Sequence, residues 1–266
     1  MGETLGRWLK QSPMSEPGSS AALYKALPHD IASLCRAIEG LLIHADWASA
    51  YGLPADHFRP ETRTTLPIAE RLAQISGTDL RPLSIERPIA SRVPGTCRDF
   101  ALMLCSVLRQ RQVPARVRCG FADYFNSGPW EDHWICEYWR PNEGRWVRVD
   151  AQLDAVQRQH LGVHFDTTDL PSANFLTADE AWRRCRSGAA SAQDFGHGAS
   201  KGLWFMRVNV VRDHYALNET EVSPWDAWRQ AGPAHQFVSE TEQAALDALA
   251  GRPEAAMVTV PPPWPA

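Results

Sequence analysis

Apolar and polar positions alternate along this chain with two periods, and the switch between them marks out its elements. Ile31, Leu34, Ile38, Leu41 and Leu42 recur at helical spacing behind Asp30, a good N-cap, which predicts a helix from 31 to about 44. Trp47 and Tyr51 fall in the turn that follows. A shorter helical pattern covers 68–75 and is stopped by Ser76-Gly77. From 78 to 94, Asp79, Pro82, Pro88 and Pro94 predict an extended connection. Residues 97–110 are apolar almost all round the helical circumference, so this helix belongs in the interior. Val113-Pro114 ends it. The next stretch, 115–121, has period two, with Arg116 and Arg118 on one face and Val117, Cys119 and Phe121 on the other, as in a half-buried strand. A loop over 122–131 carries Tyr124, Phe125 and Trp130. Two β-rich runs, 132–139 and 145–150, flank a turn at 140–144 and predict a hairpin. With Trp139 paired to Gly144, His133 falls opposite Asp150 with both side chains on one face.

Beyond Asp150 the patterns weaken. Thr177 and Glu180 make a capping box for a helix over 178–187, closed by Gly188. Residues 189–200 are rich in Ala, Ser and Gly and predict loop. The span 203–217 is helical in its later part, although Val208 to Val211 fit a strand equally well. Ser223-Pro224 starts a short helix with Trp225 and Trp228, and an Ala-rich helix follows at about 240–250. The polar, Ser-, Pro- and Gly-rich residues 1–28 predict a loosely held arm. The expected organisation is thus an arm over 1–28, one domain over 29–232, and a partly mobile C-terminal extension over 233–266 ending in a proline-rich tail.

Composition narrows the function more than the fold. Of 266 residues, 44% are apolar and 22% charged, as in a globular chain able to bury a full core. The net charge of −4 comes without a dense basic cluster, which argues against a nucleic-acid partner. There is no secretory signal pattern and no apolar run long enough for a membrane helix, so no membrane partner is expected. Six cysteines without a CxxC pair point to reduced thiols and a cytoplasmic setting.

One of those cysteines stands apart. Pro94 and Gly95 break the preceding chain, Thr96 is an N-cap, and Asp99 stands three residues on, as in a capping box with Asp for the usual Glu. That register makes Cys97 the first helical residue, where the helix dipole and unpaired backbone N–H groups favour a thiolate nucleophile. Cys105, two turns on, fits simple packing. Arg98 and Asp99 fit a first-turn ion pair and cap, and Asn209 and Asp213 structural positions on one helical face.

Gly95-x-Cys97, the apolar helix, Val113-Pro114-Ala115-Arg116, His133-Trp134 and Arg145-Trp146-Val147-Arg148-Val149-Asp150 together resemble the transglutaminase-like superfamily, and more narrowly its small bacterial proteins. Gln112 departs from the pattern, which has Gly before Val-Pro. The motif core spans about 90–155. The resemblance implies an α+β, papain-like fold, with the Cys helix packed on an antiparallel sheet and extra helices at both ends. It also implies a nucleophile at Cys97, a general base at His133 and an orienting acid at Asp150. Such a set attacks a carbonyl carbon, forms a thioester and passes the acyl group to water or an amine, without cofactor or metal. The substrate expected is a peptide, protein or small-molecule amide. Tyr124, Trp130 and Trp134 are candidates for a substrate wall that keeps the site partly dry. Two other readings accompany it: a small-molecule amide-forming acyltransferase, and a relative that keeps the fold as a binding platform. A zinc site on His160 and His164 with Asp166 nearby is a weaker rival, because Gly162 interrupts the helix and no third ligand is evident.

Overall fold

A computed structural model describes residues 5–58, 64–125, 128–221 and 237–251. The chain is mixed α+β. It divides into two compact units, Met1–Val117 with Ile135–Leu170 and Arg118–Trp134 with Pro171–Ala266, a division different from the expected boundaries after 28 and 232.

In the first unit, Asp30 caps α1 (Ile31–Glu39) by accepting the Ser33 N–H at 2.8 Å. The helix stops at Gly40 rather than near 44. Leu42–His44 instead forms β1, parallel to β2 (Val93–Gly95), and the Leu41 carbonyl accepts from the Val93 N–H at 2.9 Å. Pairing with a distant strand thus overrides the helical spacing of Leu41 and Leu42. The second helix, α2 (Ile68–Thr78), runs through Ser76-Gly77. The third, α3 (Cys97–Gln110), has the expected bounds and packs on α1, α2 and β2. Gln112 then takes a left-handed φ of 58°, the conformation a glycine adopts most cheaply.

The expected loose arm is corrected for residues 5–28. Short 3₁₀ turns at Arg7–Leu9 and Gly18–Ala26 bury Trp8 and Tyr24. The stretch is fastened to α3 by polar contacts: the Ser106 hydroxyl donates to the Ser15 carbonyl at 2.6 Å, and Arg109 Nη1 donates to Ser15 Oγ at 3.0 Å. Isolated buried apolar anchors together with hydrogen bonds, and no apolar stripe, order this polar segment.

Two strands, β3 (Ala115–Ala122) and β4 (Trp130–Arg140), run along the chain from one unit into the other. β3 is buried along its whole length, against the half-buried expectation. Its inner arginines are neutralised by acids, Arg116 by Glu137 at 2.6 Å in the first unit. β5 (Arg145–Val149) pairs with β4 from Cys136↔Val149 to Arg140↔Arg145. This corrects the expected Trp139–Gly144 pairing by two residues, and neither His133 nor Asp150 lies within the paired stretch. The turn explains the shift: Gly144 has φ 62° and donates its N–H to the Arg140 carbonyl at 2.9 Å, so it belongs to the turn and not the ladder. A short α4 (Ala155–Leu161) follows.

In the second unit β6 (Phe175–Thr177) pairs antiparallel with the end of β3, and Thr177 and Glu180 cap α5 (Ala178–Arg186) as expected. The region expected as loop contains β7 (Phe195–His197), parallel to the start of β4, and β8 (Ser200–Lys201), antiparallel to β7. The sheet is therefore mixed rather than wholly antiparallel. All of 203–217 is helical as α6 (Leu203–Leu217), and α7 (Glu240–Ala250) closes the described chain. Phe121, Trp182, Phe195, Phe205, Met206 and Leu246 form this unit's core. The helix expected at Trp225 and Trp228 and the C-terminal tail lie outside the described residues.

Candidate active site

The start of α3 is built around Asp99. Its carboxylate accepts the Thr96 backbone N–H at 2.8 Å, completing the capping box, and pairs with Arg71 Nη2 at 3.1 Å and Arg98 Nη1 at 3.5 Å. Arg71 comes from α2, is 2% exposed, and also donates to the Pro94 carbonyl of β2 at 2.9 Å. One guanidinium thus ties helix α2, strand β2 and the first turn of α3 together. Gly95 completes the cradle, since a Cβ there would stand 2.8 Å from Asp99 Oδ2. Cys97 is the first residue of this braced helix and is only partly buried. That position lies at the positive end of the helix dipole. Cys35, Cys105, Cys119 and Cys136 are free but buried, and burial pushes the thiols of Cys35, Cys136 and the half-buried Cys185 upward.

Asp150 also belongs to the first unit. It follows β5 directly and is buried; its carboxylate accepts the Gln152 N–H at 2.9 Å, and its own N–H donates to the Thr167 carbonyl at 2.8 Å. Both bonds fix the backbone that carries the acid.

His133 belongs to the second unit. It lies on β4, is buried, and its ring packs against Phe125 (centroids 4.8 Å apart) and Tyr124 (5.8 Å). Of the three expected wall residues, only Tyr124 meets the histidine ring among these contacts. Trp130 stacks on Phe195 at 5.9 Å, and Trp134 carries the Arg212 guanidinium over its ring at 5.1 Å. On a strand, neighbours of His133 point to the opposite face. Asp132 on that face accepts from Asn209 Nδ2 at 2.9 Å, and Arg212 Nη1 donates to Asn209 Oδ1 at 2.6 Å. Helix α6 therefore grips both chain neighbours of the histidine. Asp213 serves Arg118 at 2.7 Å and the Cys119 N–H at 2.8 Å, a structural place as expected.

The sequence reading placed Phe125 in the aromatic loop near the triad but missed Arg71 as part of these surroundings. Arg71 had a signal, an arginine three residues after Ile68 on the apolar stripe of α2, a position only a paired charge can occupy. His160, of the zinc rival, packs on Trp47 at 5.4 Å and precedes Gly162, the left-handed cap of α4. Among the described residues no three His, Cys, Asp or Glu side chains are grouped to hold a metal. Among them, too, no helix is long and apolar enough to cross a membrane.

A search of the curated proteins found no match. Among solved structures the chain is similar to a Cytophaga hutchinsonii protein named "Putative Cysteine Protease", at 17% identity and a TM-score of 0.38. The match covers 65% of this chain and spans 45% of that one. The family model of the transglutaminase-like superfamily matches residues 74–151, a stretch that runs from within α2 past the end of β5. At residues 74–151 this chain carries a domain of the transglutaminase-like superfamily.

Proposed function

We propose that the protein is a cysteine enzyme acting on the acyl group of an amide, with Cys97 as nucleophile, His133 as general base and Asp150 as the acid that orients it. The observation that carries this reading is the braced, partly open start of α3 with Cys97 at its first position, inside a family match that includes all three residues. The Cys97 sulfur bonds to the amide carbonyl carbon as its proton passes to His133. The C–N bond then breaks, and the leaving nitrogen departs with that proton, leaving a thioester. Water or a primary amine attacks the thioester, gives its proton to His133, and the proton returns to the sulfur as the acyl–sulfur bond breaks. The Cys97 backbone N–H, free at a helix start, is a donor for the developing oxyanion. Tyr124 and Phe125 over His133 make its surroundings apolar, which favours an amine acceptor over water.

Two experiments test this. Iodoacetamide should label Cys97 at pH 6 faster than a thiol in a short peptide, and His133→Ala should suppress the difference. Uniform, slow labelling of every cysteine would instead identify a binding platform. A glutamine peptide with and without a primary amine, followed by mass spectrometry, then resolves the acceptor. Mass gain by the amine means transfer, and loss of ammonia or backbone cleavage means hydrolysis. Inertness of every peptide, with fast Cys97 labelling retained, points to a small-molecule acyl substrate.

A further inference from the structure

The first unit holds a cavity of about 290 Å³ between α1, α4 and the chain after α4, lined by Cys35, Arg36, Glu39, Arg158, Phe165 and Thr168 among others. Glu39 is 7% exposed, yet its carboxyl makes no hydrogen bond or ion pair among the described residues. Arg158 is half-buried, and its guanidinium likewise has no such partner there. Neither group is sealed away from the cavity, so an acid and a guanidinium that line it without bonding each other are both free to take a ligand that enters it.

We propose that this cavity binds a short-chain organic carboxylate, held by Arg158 and Arg36 and by a hydrogen bond from the protonated Glu39. The charges select the sign. Arg36 and Arg158 disfavour a cationic ligand and bring guanidinium donors to the cavity that suit a carboxylate, Arg36 Nη2 also donating to Ser33 Oγ at 2.6 Å. Glu39 is able to donate because burial, reinforced by Asp154 and Asp150 and opposed by Arg158 and Arg36, pushes it up to about 8. Asp166 also lines the cavity but is already engaged by the Thr168 N–H and hydroxyl, at 2.8 and 2.7 Å. Ala32, Phe165 and the neutral Cys35 thiol offer an apolar surface for a short carbon chain, which an inorganic anion would not use. Thr167, in the same wall, accepts the Asp150 N–H, so occupancy should be felt at that amide.

The test uses the full chain with butyrate as probe, read by calorimetry and by backbone amide shifts; no readout requires turnover at Cys97. Butyrate should bind saturably in the millimolar range or tighter and shift the Asp150 amide. Butyramide and inorganic phosphate should bind at least about tenfold more weakly. Arg158→Gln should weaken butyrate about tenfold or more, and Arg36→Gln, at an exposed position, should act in the same direction if the first variant folds poorly. In the wild type, affinity should fall as pH rises above 8, because the ligand needs the acid form of Glu39. Glu39→Gln, which still donates, should bind comparably at neutral pH and lose that decline. Absence of saturable butyrate binding, equal binding of butyramide or phosphate, or indifference to both arginine substitutions would each overturn the proposal.

Discussion

Gly95 has no space for a side chain, and that single fact accounts for its place two residues before the reactive cysteine. A Cβ would stand 2.8 Å from the Asp99 oxygen that accepts the Thr96 N–H. Gly95→Ala should therefore weaken the capping box and cost about 1 kcal/mol or more in urea unfolding, with slower alkylation of Cys97. Gly77→Ala is the control: nothing stands within 4 Å, and in helix α2 it should stabilise by up to about 1 kcal/mol. Gln112 presents the opposite case, a side chain where the superfamily pattern has glycine. Its φ of 58° keeps the turn that glycine would make. Gln112→Gly should accordingly raise stability by about 1 kcal/mol, measured as a shift in the urea midpoint at unchanged slope. The residue-scale chemistry around Cys97 was legible because capping boxes are local and set by residue type. The Arg71 brace was not, because its partners Asp99 and Pro94 lie more than twenty residues away and only tertiary contact joins them.

Among the elements, α3 and α5, with strong local start signals, were read to within a residue, α2 ran past its expected Ser76-Gly77 stop, and strands defined by a distant partner were not read. Helix α3 has Thr96 before it and an apolar circumference, and α5 has its Thr177–Glu180 box. By contrast, β1 depends on β2, and β7 and β8 depend on pairing that small residues such as Gly196 and Ser200 do not announce. The two-residue error between β4 and β5 kept each side chain on its face, because strand faces repeat every two residues. One element carries a measurable burden: α1 buries Glu39, whose carboxyl is raised from 4.5 to about 8. The native state therefore holds a proton that the unfolded chain releases between these values. Stability contributed by this group is fully present below 4.5 and is lost as pH rises through 8. Glu39→Gln should match the wild type near pH 4.5 and become progressively more stable than it up to pH 9, by thermal or urea melts; a constant difference across that range would contradict the assignment.

At the scale of the whole molecule the chain is divided, while the sequence offered a single domain with loose ends. The division was illegible because no linker composition marks it: it falls inside the strands β3 and β4, at Val117/Arg118 and Trp134/Ile135. Each unit has its own buried charge on β3, Arg116 with Glu137 in the first and Arg118 with Asp213 in the second. These pairs allow one unit to be perturbed at a time. Arg118→Met would strip the buried Asp213 carboxylate of its guanidinium while the Cys119 N–H still donates to it, and breaking such a pair costs about 3 to 5 kcal/mol. If each unit's internal contacts set its own opening, amide exchange in α5 and α6 should accelerate by about tenfold or more while α1 and α2 stay close to wild type. Arg116→Met should show the reverse, because Glu137 then loses the Arg116 guanidinium that pairs with it at 2.6 Å. Equal acceleration everywhere in both variants would mean that the strands running through both units bind them into one cooperative body. In that case the division into units would describe packing density and not separate stability.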